Sequence, residues 1–167
     1  LFSSIVKVLK NNANAKFLIA GDGYLFPKLK KIAKEKKLEN RIIFEGVISK
    51  EELKNYYAAG DIFVYASKSE TQGMIISEAM YCSLPIVAVN ATGICDLAQN
   101  NTNGFLVKEN EDEFSDAVEK LIKDGELRKK FSEESQKIAH ENFTDQICTS
   151  KILKVYEKLI YRENDSQ

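Results

Sequence analysis

Residues 67–80 read SKSETQGMIISEAM and follow the short apolar run IFVY at residues 62–65. That run is rich in β-forming residues, which predicts a strand buried on both faces of a parallel sheet. The polar residues after it predict a loop that ends at Gly73, and a helix that begins near Met74. Glu70 is then expected just beyond the strand, and Glu78 inside the helix. Two carboxylates therefore flank the predicted turn from strand to helix.

The residue types around this turn indicate the chemistry of a ligand. Gly73 lets a ligand approach the backbone, and the amides that open the following helix attract negative oxygens. Glu78 lies 78 − 70 = 8 positions after Glu70, so both carboxylates can face one pocket. Carboxylates accept from hydroxyls and amides donate to phosphate, which favours a nucleotide-sugar. Alternatively, the two acids only stabilise the start of the helix.

Length and composition limit the function classes. The 167 residues, 44% of them hydrophobic, are enough for one domain with a core and too few for two full domains. A net charge of −1 argues against general binding to nucleic acid. No apolar run approaches the ~18 residues that span a bilayer, and no secretory leader is apparent. We therefore expect a cytoplasmic protein whose membrane contact, if any, is peripheral.

The cysteines, the histidine and the lysines suggest no further site. The three cysteines are odd in number and lack metal-type spacing, so neither a zinc site nor a disulfide framework is expected. The sole histidine, His140, falls in a predicted amphipathic helix and is expected to be a surface or packing residue. No serine-histidine or cysteine-histidine couple lies within a plausible site, so hydrolase chemistry is not expected. Six lysines crowd residues 28–37. They are expected to form the solvated face of a helix, and contact with anionic lipid head groups is the alternative.

The rest of the chain alternates between predicted strands and helices. Strands are expected near residues 16–20, 41–45, 62–65, 85–89 and 104–107, and helices near 2–9, 25–37, 49–59, 74–81, 110–123, 126–142 and 145–161, with at most a short one at 94–99. This alternation predicts an α/β fold with a doubly wound parallel sheet. The loops at residues 21–23, 47–49, 67–73 and 90–93 all leave carboxyl ends of strands, where such sheets bind ligands.

Five short stretches carry a resemblance to a known family: GDG at 21–23, FEGV at 44–47, AGDIFV at 59–64, SKSE at 67–70 and EAM at 78–80. With them, nearly the whole chain resembles the carboxy-terminal, donor-binding half of retaining glycosyltransferases of family four, which have the two-domain GT-B architecture. The resemblance implies one Rossmann-like domain over residues 1–167. It also implies an amino-terminal, acceptor-binding domain, toward which residues 145–161 would pack. The family usually has a further first strand, with an arginine and a lysine for the donor diphosphate, which this sequence lacks.

The resemblance assigns roles to individual residues. Glu70 is the implied catalytic residue, in contact with sugar hydroxyls near the reacting centre. The implied donor-binding residues are Gly21, Gly23, Val47, Ile48, Ser67, Gly73, Met74, Ile75 and Glu78. Amides at the start of the central helix would bind the sugar and diphosphate, and Glu78 would accept the ribose hydroxyls. Val47 and Ile48 would flank the base, the two glycines of the first loop would allow close approach, and Ser67 would line the site.

Three positions depart from the family pattern. Thr92-Gly93 stands where a glycine pair is common, and Asp96 where glutamate is common, so the fit around the sugar or acceptor is expected to differ. Ser83 occupies a position that is often glycine. The stretch ETQG at residues 70–73 resembles that of bacterial enzymes that glucosylate diacylglycerol, which implies cell-envelope biosynthesis.

The expected reaction is retaining hexose transfer from a UDP-sugar or GDP-sugar to a glycan or lipid acceptor, without a cofactor. The sequence contains no Asp-x-Asp pair, so no metal site is expected. Without the arginine and lysine of the missing strand, the chain is expected to bind donor but not to turn over. Alternatives are half of a nucleotide-sugar epimerase, with Glu70 and Asp96 as acid–base candidates, and a degenerate non-catalytic scaffold. A receiver-like signalling domain is disfavoured, because strand 62–65 ends in Ala66-Ser67 instead of an aspartate.

Overall fold

The computed structural model describes residues 1–69 and 73–164, with side chains as far as residue 160. In these ranges the strands are β1 (Phe17–Ala20), β2 (Ile42–Gly46), β3 (Phe63–Tyr65), β4 (Ile86–Val89) and β5 (Gly104–Val107). The helices are α1 (Phe2–Asn11), α2 (Phe26–Glu35), α3 (Lys50–Ala58), α4 (Met74–Tyr81), α5 (Glu111–Lys123), α6 (Gly125–Asn142) and α7 (Asp145–Asn164). The predicted alternation of strands and helices is confirmed.

Local sequence signals place the helix ends well. The Ser49 side chain accepts a hydrogen bond from the Glu52 amide at the start of α3, as the capping-box pattern of Ser49 and Glu52 in the sequence predicts. Asn110 caps α5 in the same way, because its Oδ1 accepts from two amides of the first turn. Residues 92–97 form hydrogen-bonded turns, so the short helix that the sequence allowed at residues 94–99 is not observed. Ile94 and Leu97 of this segment are buried in the core.

All strand pairs are parallel, as predicted, but the described strands form two sheets instead of one. One sheet pairs β1 with β2, and the other has the order β3-β4-β5. A common order for doubly wound sheets is 3-2-1-4-5-6. Removal of strand 1 from that order leaves the two groups observed here. β1 and β3 then lie two positions apart, beyond the reach of a backbone hydrogen bond.

Helix α1 joins the two sheets through its apolar side chains. Ile5 and Leu9 pack with Ile42 of β2 and with residues of α2. Val8, on the neighbouring face of the same helix, packs with β4, β5, α5 and α6. Val64 of β3 contacts both clusters. Each such buried side chain contributes about 1.5–3 kcal/mol, so α1 fastens both sheets to one core.

The sheet of β3, β4 and β5 has helices on both faces. Alternate residues of β4 point to opposite sides: Ile86 packs against the cluster that contains α4, and Val87 against the cluster that contains α5. β4 is completely buried, as expected of a central strand. β3 was predicted to be buried on both faces, but it is only half-buried, because it is an edge of this sheet.

Helix α7 leaves much of its surface exposed. Its described apolar side chains from residue 152 onward are more than half exposed: Ile152, Leu153, Val155, Tyr156, Leu159 and Ile160. These exposed apolar side chains lie in the segment that the resemblance implies would pack toward a further domain. Within the described residues no helix has the length and apolar character to cross a membrane.

Ser83 provides a test of the backbone geometry after α4. Its φ of 63° is left-handed, and the Leu84 amide donates to the Ala79 carbonyl as in a Schellman turn, where glycine is favoured. We predict that Ser83→Gly raises the free energy of unfolding by about 1 kcal/mol, because a side chain strains this conformation. Urea unfolding measures the change. Lys130→Gly, inside α6, should instead lower stability by about 0.5–1 kcal/mol. A loss of stability in Ser83→Gly would contradict the assigned turn.

Candidate functional site

The carboxyl ends of the parallel strands form the rim where the sequence predicts a site. The Gly21 amide, just after β1, donates to the Gly46 carbonyl at the end of β2 (2.6 Å), so the first two loops lie side by side. The loops after β3 and β5 are joined by an ion pair between Lys68 and Glu109 (2.7 Å). The Asn90 amide, just after β4, donates to the Val107 carbonyl of β5. The loops are thus adjacent in pairs along each sheet.

The turn at Gly73 strongly favours glycine. Its backbone is left-handed (φ 63°, ψ 27°) at the position just before α4. A Cβ atom there would overlap the Leu97 side chain and lie 3.2 Å from the Gly93 carbonyl oxygen. The sequence suggested close approach of a ligand as the reason for this glycine. The structure adds a packing reason, because the turn presses against the loop after β4.

The first amides of α4 are available to a ligand. The Ile76 and Ser77 amides donate to the Gly73 carbonyl (2.8 and 3.1 Å). In the described part of the chain, no acceptor bonds the amides of Met74 and Ile75. Such first-turn amides carry partial positive charge. The side chains of Met74 and Ile75 are exposed, so this end of the helix faces solvent.

Glu78 lies one turn further along α4 and presents an exposed carboxylate. Its Oε2 accepts a hydrogen bond from the Tyr57 hydroxyl of α3 at 3.0 Å. Tyr57 is only 8% exposed, and burial, together with this bond, raises the pKa of its hydroxyl well above the usual range. The phenol therefore stays protonated and donates. No lysine or arginine among residues 1–69 and 73–160 forms an ion pair with Glu78.

Sequence reasoning did not identify Tyr57. The residue lies 78 − 57 = 21 positions before Glu78, on a different helix, so no short-range periodicity links the two. Only the packing of α3 beside α4 brings them together.

The remaining predicted donor-binding residues lie along the same rim. Val47, immediately after β2, is 82% exposed, and Ile48 is half-buried. Ser67 is half-buried, and its Oγ accepts from the Ser69 amide at 3.4 Å. Gly21 has a φ of 123° that requires glycine, whereas a Cβ at Gly23 would meet open space. The first loop thus needs glycine at position 21 for its backbone conformation, whereas position 23 has no such requirement.

Glu70 lies outside the described residues, together with Thr71 and Gln72. Its catalytic role therefore stays a prediction. Thr92 and Asp96, the two positions near the rim that depart from the family pattern, are both exposed. Gly93, between them, is buried, and its carbonyl lies against the Gly73 turn.

The surface of the described residues includes two depressions of note. One of about 310 Å³ lies at the opposite edge of the sheet, where Asp61, Ser83 and Arg128 contribute to its lining. The other, of about 180 Å³, borders the rim between Lys68 and Phe114. Neither includes Glu78. Over the described ranges, no three His, Cys, Asp or Glu side chains are arranged to hold a metal ion.

Comparison with known proteins places the chain in a family. The sequence profile described as "Glycosyl transferases group 1" matches residues 1–138. The chain belongs to this family. It is 27% identical over 154 residues to the alpha-D-kanosaminyltransferase of Streptomyces kanamyceticus, covering 92% of this chain and 40% of that protein. It is 32% identical over 137 residues to the alpha-monoglucosyldiacylglycerol synthase of Streptococcus pneumoniae, covering 81% of this chain and 31% of that protein.

Solved structures of group 1 and related glycosyltransferases have the same fold. HepE of Anabaena in complex with UDP matches with a TM-score of 0.81 and 24% identity, over 93% of this chain and 44% of HepE. The C-terminal domain of LpcC from Francisella tularensis matches with a TM-score of 0.79 and 24% identity, over 86% of this chain and 77% of that one. The GT-B, Rossmann-like half implied by the sequence is confirmed. The chain spans less than half of the full-length relatives it matches.

Gly73 gives a direct test of the rim geometry. We predict that Gly73→Ala lowers the free energy of unfolding by about 2 kcal/mol, because the new Cβ adds a steric overlap to left-handed strain of roughly 1–2 kcal/mol. Gly23→Ala is the matched control in a neighbouring loop, and it should change stability by less than about 0.5 kcal/mol. Urea unfolding followed by circular dichroism distinguishes them. Equal stability of the two variants would show that the Gly73 turn is wrongly placed.

Proposed function

We propose that the chain is the donor-binding domain of a retaining glycosyltransferase, which moves a hexose from a nucleotide diphosphate sugar to a glycan or lipid acceptor. One observation carries the proposal. The exposed carboxylate of Glu78 and the open amides of Met74 and Ile75 lie within about a turn of one helix, at the rim where the strands end. Membership of the glycosyl transferases group 1 family supports this reading.

Each part of a donor has a complementary group at the rim. The ribose hydroxyls would donate to Glu78, and the diphosphate oxygens would accept from the amides of Met74 and Ile75. The partial positive charge of the α4 N-terminus then stabilises the departing diphosphate, as oxyanion-binding amides do in other transfer reactions. Glu70, by its place in the sequence, would act on the sugar beside this group.

The nucleobase would lie against the loop after β2. Val47 exposes 82% of its surface there, an apolar side chain that a flat base can cover, and Ile48 offers its main chain. Ser67, Gly21 and Gly23 complete the proposed donor-binding surface along the rim. HepE, of the same fold, has been solved with UDP, which supports a UDP-sugar as donor, with a GDP-sugar as the second choice.

The acceptor would be a glycan or a lipid in a cytoplasmic reaction. The relatives include a synthase of monoglucosyldiacylglycerol, which supports a lipid acceptor and peripheral contact with a membrane. The lysines in and just after α2 suit such contact, since all six between residues 28 and 37 are exposed. In the described ranges only Lys31 of these forms an ion pair, with Glu35 at 4.0 Å.

Sugar transfer would need a further domain. The exposed apolar side chains of α7 would pack toward an amino-terminal, acceptor-binding domain, and a further strand between β1 and β3 would supply cations for the diphosphate. The division of the strands into two sheets supports the position of that strand. This 167-residue chain would therefore bind donor without transferring its sugar.

Calorimetry with UDP and GDP tests donor binding. We predict saturable binding of at least one nucleotide by the chain, weakened about 10- to 100-fold by Glu78→Gln, because a charge-assisted hydrogen bond contributes about 1.5–3 kcal/mol. Glu126→Gln, in α6, is the control and should bind as the parent chain does. Absence of saturable heat with both nucleotides would indicate a non-catalytic scaffold instead.

A transfer assay tests the need for a further domain. The chain, incubated with UDP-[¹⁴C]glucose and either diacylglycerol or a glycan acceptor, is expected to give no labelled product above the protein-free background. The full-length parent protein, incubated with the donor and no acceptor, distinguishes an epimerase, because only an epimerase gives a changed sugar. Transfer by the chain alone would overturn the prediction.

A further inference from the structure

The hydrogen bond from Tyr57 to Glu78 has no role yet in the proposed donor site. It belongs to α3, it is buried, and its hydroxyl reaches Glu78 Oε2 at 3.0 Å. The Ile75 carbonyl lies further from the same hydroxyl, at 3.4 Å. A phenol has a single proton to donate, so the carboxylate is the favoured acceptor. In the part of the chain that is described, no residue donates to the other oxygen, Glu78 Oε1.

We propose that Tyr57 is a positioning residue, whose hydroxyl fixes the Glu78 carboxylate so that Oε1 faces the hydroxyl pair of a bound ribose. This inference rests on the proposed function, because it assigns ribose binding to Glu78. Tyr57 itself, held beneath α4, acts on the nucleotide only through the glutamate.

The Tyr57 ring is well anchored for this role. It packs in the core cluster of α3 and α4, and its centroid lies 5.9 Å from that of Phe63 in β3. Phe63 in turn stacks on Tyr65, at 6.1 Å. A ring fixed on several sides has its hydroxyl fixed as well. The position of the Tyr57 hydroxyl is therefore set by packing against the sheet that contains β3, independently of any ligand.

The hydrogen bond from Tyr57 restricts the Glu78 side chain, which is otherwise exposed. A free glutamate samples several rotamers, and ordering it on ligand binding is an entropic cost. A hydrogen bond made before the ligand arrives removes part of that cost, which is preorganisation. Burial and the bond to Glu78 raise the pKa of the Tyr57 hydroxyl, so the hydroxyl stays protonated and able to donate this hydrogen bond at neutral pH.

The chain offers a matched control on the same helix. Tyr56, adjacent to Tyr57, is half-buried, and its hydroxyl lies 3.4 Å from Glu45 Oε2. Tyr56→Phe removes the same atom from the same helix but leaves Glu78 untouched. Tyr57→Phe removes the hydroxyl and keeps the ring that fills the core.

The test compares two ligands, UDP and 2′,3′-dideoxy-UDP, by calorimetry (or the guanosine pair, if the parent chain binds only GDP). For Tyr57→Phe we expect UDP affinity to fall about fivefold to tenfold, as for loss of one hydrogen bond, with little change for the dideoxy ligand. Tyr56→Phe should leave both affinities unchanged. The ratio of the two affinities is the decisive quantity, because partial unfolding of a variant would lower both affinities alike.

A double variant separates positioning from general damage. In a chain that already carries Glu78→Ala, the additional change Tyr57→Phe should have no further effect on UDP affinity. An unchanged UDP-to-dideoxy ratio in Tyr57→Phe, or full additivity in the double variant, would overturn the inference while leaving the proposed function in place. If the parent chain binds neither nucleotide, the proposed function fails, and this inference with it.

Discussion

The left-handed turn at Gly73 is the constraint on which the geometry of the rim depends. Leu97 and the Gly93 carbonyl crowd the position that a Cβ would take there, so glycine is favoured at the point where the chain enters α4. From that point the buried residues Ile76 and Met80 fix which face of the helix meets the core. The opposite face, with the amides of Met74 and Ile75 and the side chain of Glu78, is then held toward solvent. The polar groups of the site are thus a consequence of how the apolar face packs.

A second constraint comes from the division of the strands. β1 and β3 belong to separate sheets, and α1 with Val64 joins them through side-chain packing instead of a continuous ladder. Apolar contacts of this kind are not directional, whereas a hydrogen-bonded ladder fixes register and distance. The relative position of the first and third loops is therefore set less firmly by packing alone than it would be with a strand between them. The base would lie at the loops of the β1–β2 sheet, and the ribose at the loops of the sheet that contains β3. A further strand between these sheets would therefore help to align the two parts of the donor site.

Much of the fold follows from local signals in the sequence. The apolar runs and the caps at Ser49 and Asn110 predict strands and helices close to their observed bounds, because both signals act over a few residues. The split into two sheets was not predicted, since strand pairing depends on contacts far apart in the sequence. The sequence allows a short helix at residues 94–99, but the structure has turns at residues 92–97, with Ile94 and Leu97 buried in the core.

The site was predictable to a similar degree. Gly73, Met74 and Glu78 are linked by helical spacing, so their shared position could be read from the sequence and is observed. Tyr57 lies on another helix, and only tertiary packing brings its hydroxyl to Glu78. The packing demand on Gly73 was hidden for the same reason, because Leu97 is 97 − 73 = 24 positions away.

The central claim is that Glu78 and the first amides of α4 hold the ribose and diphosphate of a nucleotide donor. A crystal structure of the chain with UDP tests it most directly. The account predicts ribose hydroxyls within hydrogen-bonding distance of the Glu78 carboxylate, and diphosphate oxygens at the amides of Met74 and Ile75. UDP bound elsewhere, for example in the depression beside Arg128 at the opposite edge, would contradict it.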